Sequence, residues 1–213
     1  MQAIKTASSR YALTLFGLFW IYWLALAIAP LYRDDWMLEN VLVILAIPLT
    51  LLGWRRYHFS TLAITAFWLF MLLHVLGSHY TYAEVPYNLW TESLFGQSLN
   101  EMLGWQRNHF DRLVHYLFGF LFIPVLCEWL AQAGSMTRRW QYTFAISLIM
   151  AISGLYEIIE WIAAALFGGD LGQAYLGTQG DIWDAQKDMA LAGVGALTGT
   201  LIHSLRFTLI RKK

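Results

Sequence analysis

Six apolar runs, each long enough to cross a bilayer as a helix, constrain this chain more than any other feature. A hydrocarbon core of about 30 Å is crossed by roughly twenty residues at about 1.5 Å per residue. In that solvent the backbone must satisfy its own hydrogen bonds, which leaves helices or closed barrels. The runs fall near residues 11–29, 37–54, 61–77, 111–131, 142–167 and 188–209. They predict an all-α integral membrane bundle of six transmembrane helices. Pro48 and Pro124 interrupt the second and fourth runs, which a membrane helix tolerates where neighbours satisfy the freed carbonyl. Hydrophobic residues make up 58% of the chain and charged residues 13%, against about 25% charge in a soluble domain. Residues 1–213 are therefore expected to form a single polytopic membrane domain.

The polar, basic start MQAIKTASSR precedes LTLFGLFWIYWLALAIA, which is longer than a signal-peptide core and reads as a retained first span. The lone cysteine, Cys127, has no partner for an internal disulfide. Basic residues set the orientation. With the N-terminus inside, Lys5, Arg10, Arg55, Arg56, Arg138, Arg139, Arg206, Arg211, Lys212 and Lys213 lie on the cytoplasmic side, and Arg33, Arg107, Arg112 and Lys187 on the other. By the positive-inside rule this is an N-in/C-in topology. Of the acids only Glu128 falls in the cytoplasmic half.

Two long connections lie on the outer side in this topology. The first, His79 to Phe110, is amphipathic, and Leu94, Phe95, Leu99, Met102, Leu103 and Trp105 suggest a short helix. It is expected either to lie at the membrane interface or to pack as a lid over the bundle. The second, Gly168 to Gln186, is glycine-rich and aperiodic. Small residues at Ala192, Gly195, Ala196 and Gly199 in the last run permit close helix approach.

Ionisable residues recur at helical spacing at the outer ends of these runs. His74 and Ser78 are four apart, as are Asp111 and His115, while Glu157 and Glu160 are three apart and Asp181, Asp184 and Asp188 follow in a row. Residues three or four apart share a helix face, so each group presents its polar atoms in one direction. A carboxylate at membrane depth costs several kcal/mol unless protonated, paired or metal-bound. Histidine with carboxylate is the ligand chemistry of transition metals. His74, Asp111, His115, Glu157 and Asp184 are therefore the candidate ligands of a divalent metal, Zn or Mn. Glu160, Asp181, Asp188 and Arg112 are the candidate catalytic groups, with Arg112 and Lys187 placed to hold an anionic head group. A structural reading stands beside each: a hydrogen-bonded bundle histidine for His74, a dipole-favoured helix start for the Asp row, and a polar knot with Arg112 or Lys187 for the glutamates.

P-loop, GxSxG, HExxH and dinucleotide fingerprints are absent. The basic residues are scattered at span ends, which suits lipid head groups and gives no nucleic-acid surface.

The segments HFDRLVHYLFGF, SGLYEIIEW and GDIWDAQKDMALAGVGALTG resemble the VanZ-like membrane domain. In that comparison Asp111 and His115 match its first Asp–His pair, Glu157 or Glu160 its middle acid, and Asp184 its later Asp. Asp188 stands where that family usually has Asn. Nearly the whole chain, with HVLGSHYTYAEVPYN and QGDIWDAQKDM, resembles the YjdF-type bacterial inner-membrane proteins. That resemblance implies a multi-pass protein of the bacterial cytoplasmic (inner) membrane, with membrane lipids as its surroundings. Three functional readings follow. The first is metal-assisted chemistry on a lipid or lipid-linked substrate. The second is a proton-coupled small-molecule carrier using the same acids as a relay. The third is a non-catalytic protein of envelope maintenance.

Overall fold

The computed structural model describes residues 6–167, 169, 172 and 176–211. Eight helices account for the described fold: α1 (Ser9–Leu26), α2 (Arg33–Arg56), α3 (Thr61–His79), α4 (Tyr87–Phe95), α5 (Leu99–Leu103), α6 (Phe110–Ala133), α7 (Arg138–Phe167) and α8 (Asp184–Arg211). Five of them, α1, α2, α3, α6 and α7, are long and apolar enough to cross a membrane. The chain is thus all-helical and multi-pass. The long helix α8 carries Asp184, Lys187, Asp188 and Arg206 in a less apolar sequence and packs against both α6 and α7.

Local chemistry sets the helix starts. The Ser8 and Ser60 hydroxyls accept from the backbone N–H groups of Tyr11 and Ala63, both at 3.2 Å, which satisfies donors that a helix start leaves open. Asp34 and Asp35 occupy the first turn of α2, and Arg55 and Arg56 its last, so both ends complement the helix dipole. Pro48 and Pro124 sit inside continuous helices, as expected. The second span begins at Arg33 rather than near residue 37. The added turn brings Asp35 into the bundle, 0% exposed, one turn before the buried Glu39, which is 3% exposed.

Helix α3 packs on α1, α2 and α6, while α6 also packs on α7 and α8. One apolar cluster joins Phe19, Val43, Phe70, Val75, Phe110 and Val114. A second joins Ile123, Cys127, Ala145, Ile149, Ala192 and Ala196. The α6–α8 contact is close because a side chain at Gly119 would run into the Ala192 carbonyl, and one at Gly195 into the Tyr116 carbonyl. The small-residue stripe therefore serves packing between these two helices.

The ends of the bundle differ chemically. One end gathers the starts of α2, α6 and α8 and the ends of α3 and α7, with nearly all the acids. Arg55, Arg56, Arg138, Arg139 and Arg206 lie toward the other. There Glu128, 7% exposed, accepts from the Ser60 backbone N–H at 2.7 Å and the Ser60 hydroxyl at 2.5 Å. These bonds anchor α6 to the start of α3.

The connection between α3 and α6 forms two helices rather than one. Gly96, in the left-handed region at φ 74°, ends α4, and Ser98 with Glu101 closes a capping box that starts α5. The connection is braced internally, where Asn100 Nδ2 donates to the Arg107 carbonyl at 2.8 Å and Asn108 Nδ2 to the Val85 carbonyl at 2.9 Å. It is tied to the bundle by the Tyr82 hydroxyl on His74 Nδ1 and by Arg107 on Asp184, both at 2.5 Å. Leu94, Phe95, Met102 and Leu103 remain more than half exposed. Features of both expectations, a packed lid and an exposed apolar face, are present. Of the second connection, the described part 176–183 joins the first, since Gln179 Oε1 accepts from the Asn108 N–H at 2.9 Å.

Candidate functional site

The acidic end separates into two neighbouring groups. In the first, Asp181 and Asp184 meet cations. Arg107 donates to Asp184 through both terminal nitrogens, at 2.5 and 3.3 Å, and to the Thr178 and Gly177 carbonyls. Arg112 donates to Asp181 at 2.5 Å and to Asp184 at 3.1 Å, and Lys187 donates to Asp181 at 2.5 Å. Bidentate guanidinium–carboxylate pairing of this kind is directional and strong. Lys187, the Trp183 backbone N–H and Arg112 hold the Asp181 carboxyl well below the usual carboxylate range. At the start of α6, burial and the nearby Arg112 and Arg107 hold the His109 imidazole below its ordinary value. The bases expected to hold a substrate's head group are thus engaged by the protein's own acids.

In the second group the acids meet an imidazole. Asp111 and His115 lie one turn apart on α6, Glu157 faces them from α7, and Asp188 from α8. His115 Nε2 lies 3.5 Å from Asp111 Oδ1 and 3.6 Å from Glu157 Oε1. One ligand atom each of Asp111, His115 and Asp188 lies within 4.8 Å of the other two. The side chains of His115 and Glu157 are both 9% exposed, and residue Asp188 2%. Among the described residues, Glu157 Oε1 and Asp188 Oδ1 are buried without a hydrogen-bond partner. None of Asp111, Glu157 and Asp188 forms an ion pair with Lys or Arg among the described residues. Glu160 lies beside Glu157.

His74 belongs elsewhere. Its Nε2 donates to the Glu39 carbonyl at 3.1 Å, and a carbonyl only accepts, so Nδ1 accepts from the Tyr82 hydroxyl at 2.5 Å. Both nitrogens are committed to α2 and to the segment after α3. Asp184 is committed to Arg107 and Arg112. The structure therefore gathers Asp111, His115 and Asp188 around one point, brings Glu157 up to His115, and sets His74 and Asp184 outside this group.

Several contributors escaped the sequence reading. Asp35 accepts from the Thr81 hydroxyl and Glu39 from the Tyr156 hydroxyl, the latter at 3.1 Å. Tyr156 also meets the His115 ring, with centroids 6.1 Å apart. The signal for Asp35 and Glu39 was present: two acids four residues apart at the head of an apolar run. Arg107 carried no such signal. It is a single base in an aromatic-rich connection, and only the folded path of that connection aims it at Asp184.

Comparison with known proteins agrees with this architecture. Inner membrane protein YjdF of Escherichia coli (strain K12) is 38% identical over 173 residues, covering 81% of this chain and 78% of that protein. No solved structure matches the chain. The family assignment does not extend to the VanZ-like resemblance of the C-terminal half. The model of a family described as "Predicted membrane protein (DUF2238)" matches residues 11–208. The chain, with its spanning helices and near full-length match, belongs to that family of multi-pass membrane proteins.

Proposed function

We propose that Asp111, His115 and Asp188, with Glu157, bind one divalent transition metal at the outer end of a six-span bundle in the bacterial inner membrane, and that the site acts on a lipid or lipid-linked substrate. The observation that carries this reading is the convergence of four ligand-type side chains from α6, α7 and α8, two of which have buried oxygens without a partner. A buried charge without a partner is strongly unfavourable, and a cation relieves several of them at once. The spacing suits the ion. Two ligands about 2.1 Å from one Zn and at the tetrahedral angle lie about 3.4 Å apart, close to the 3.5 and 3.6 Å separations around His115 Nε2. Imidazole beside carboxylate favours Zn or Mn over calcium. Such an ion polarises a phosphoryl or carbonyl oxygen and lowers the pKa of bound water.

In this reading α8 is the sixth span. At 28 residues it extends about 42 Å, and its basic end lies with Arg138 and Arg139. Both termini are then cytoplasmic. Asp181, Asp184, Arg107 and Arg112 act as a structural knot that holds the α8 start against α6, and so position Asp188. Glu160 is the nearby proton-transfer group.

The test is metal analysis of purified protein together with Asp188→Asn and His115→Ala. About one ion per chain is expected, lost in both variants, with added Zn or Mn raising the melting temperature of the parent protein alone. Metal-free parent protein with no thermal response to either ion would refute the reading.

A further inference from the structure

A cavity of about 500 Å³ opens between α7 and α8, walled by Met150, Gly154, Leu155, Glu157, Trp161 and Met189. That volume lies within the range of roughly 300–1,000 Å³ usual for ligand sites. From Met150 to Trp161 the groove follows α7 for twelve residues, about 16 Å along the helix. It exists because Ala151 and Gly154 leave α7 without bulk, and Met150 and Met189 are unbranched, adaptable walls. Leu155 and Trp161 are 57% and 65% exposed, and α7 is apolar enough to cross the membrane. Its open face therefore looks onto hydrocarbon.

One feature sets this groove apart from an ordinary gap between helices. Its wall includes the Glu157 carboxyl, whose Oε1 is 3.6 Å from His115 Nε2 and lacks a hydrogen-bond partner. Asp188 precedes Met189 in the opposite wall. The groove and the Asp111–His115–Asp188 site thus share a boundary. Apart from Glu157 and Gln186 the lining is apolar or aromatic, and water suits that remainder poorly, because a bound water needs two to four polar partners. A helix from a second copy is about 10–12 Å across, too wide to reach a Glu157 side chain that is only 9% exposed. A single hydrocarbon chain is narrow enough.

We infer that the groove takes up one acyl chain of a membrane phospholipid laterally from the bilayer and so presents the lipid's head group to the Asp111–His115–Asp188 site. Presentation of the head group rests on the metal reading above, whereas occupancy of the groove does not. A Cβ at Gly154 would meet Met189 Sδ at 3.5 Å, an ordinary contact. A larger side chain there fills the groove from its floor without pushing the two backbones apart.

The experiment uses full-length protein in nanodiscs containing phosphatidylethanolamine with a diazirine in one acyl chain. After irradiation, adducts are mapped by peptide mass spectrometry. Labelling at Met150 and Met189 is expected to exceed that at Leu13 and Ile21, lipid-facing positions of α1 that are 68% and 67% exposed, by fivefold or more. Gly154→Leu, and separately Ala151→Leu, remove the excess and leave labelling at Leu13 and Ile21 unchanged. Labelling no higher than at those positions, an excess unaffected by both substitutions, or cross-links between copies through the groove would each overturn the inference. Metal content is measured on the same samples. Metal present without excess labelling overturns the groove alone, and excess labelling without metal overturns head-group presentation and the metal reading while occupancy stands.

Discussion

Gly195→Ala tests whether the site depends on how closely α6 and α8 approach. A Cβ at Gly195 would lie 2.9 Å from the Tyr116 carbonyl carbon and 3.0 Å from the Phe120 nitrogen, and nearer still to the Tyr116 carbonyl oxygen. Carbon atoms in ordinary contact stand about 3.5–4.0 Å apart, so the helices must separate locally by at least about 0.6 Å. The obstruction is backbone on both sides, and no rotamer change relieves it. Tyr116 adjoins His115, and Asp188 is two turns before Gly195 on α8. The separation therefore falls on the distance between ligands from the two helices. Metal–ligand distances tolerate about 0.2 Å, roughly a third of the forced shift. Overpacking of this kind costs about 1–3 kcal/mol, so a folded but less stable protein that has lost most of its metal is expected. Metal content of the purified variant and its thermal unfolding are the assays. Gly17→Ala is the control, since nothing lies within 4 Å of a Cβ there. Gly195→Ala protein that keeps full metal content and the parent melting temperature would refute the link between helix approach and site geometry.

Three further outcomes are expected. Arg107→Ala leaves Asp184, 5% exposed at its side chain, with Arg112 alone, and costs about 1.5–3 kcal/mol, the range for losing hydrogen bonds to a charged group whose charge stays paired. Thermal or denaturant unfolding measures it, and an unchanged stability would show that the knot does not hold α8. Asp181 has a depressed folded carboxyl, so its contribution is fully present above the unfolded carboxyl value of about 3.9 and is lost as pH falls below it. Asp181→Asn is therefore less stable than the parent at neutral pH, with a gap in melting temperature that narrows at low pH; a gap independent of pH would contradict this. For topology, Cys127→Ala gives a background for single-cysteine labelling. Impermeant reagent added outside is expected to reach Gly96→Cys and to miss cysteines placed at either terminus, and labelling of either terminus would reverse the proposed orientation.

The helices were legible in the sequence because each apolar run is itself the signal. A segment such as Thr61–His79 satisfies its own backbone and needs no distant partner to be recognised. The grouping of acids at one end was legible for a related reason: charges are costly within hydrocarbon and collect at span ends. Boundaries were less legible. Arg33 and Asp34 look like connection residues by composition, yet they form the first turn of α2 because its dipole accommodates acids there. That turn is what brings Asp35 indoors.

Partner choice among the polar groups was decided by tertiary structure. Asp184 and Asp188 lie one turn apart in the same kind of sequence, and the chain alone offers no reason to separate them. Arg107, carried in by the connection between α4 and α6, claims Asp184, while Asp188 faces Asp111 and His115. His74 has the residue type and depth of a ligand, but a carbonyl from α2 and the Tyr82 hydroxyl occupy both its nitrogens. The sequence by itself determined a multi-pass helical membrane protein with an acidic end, since hydropathy and helical spacing are local properties. Which acids meet a guanidinium and which meet an imidazole depends on contacts between residues about seventy apart in the chain, such as Arg107 with Asp184 and His115 with Asp188. Only the packing of α6, α7 and α8 brings such pairs together.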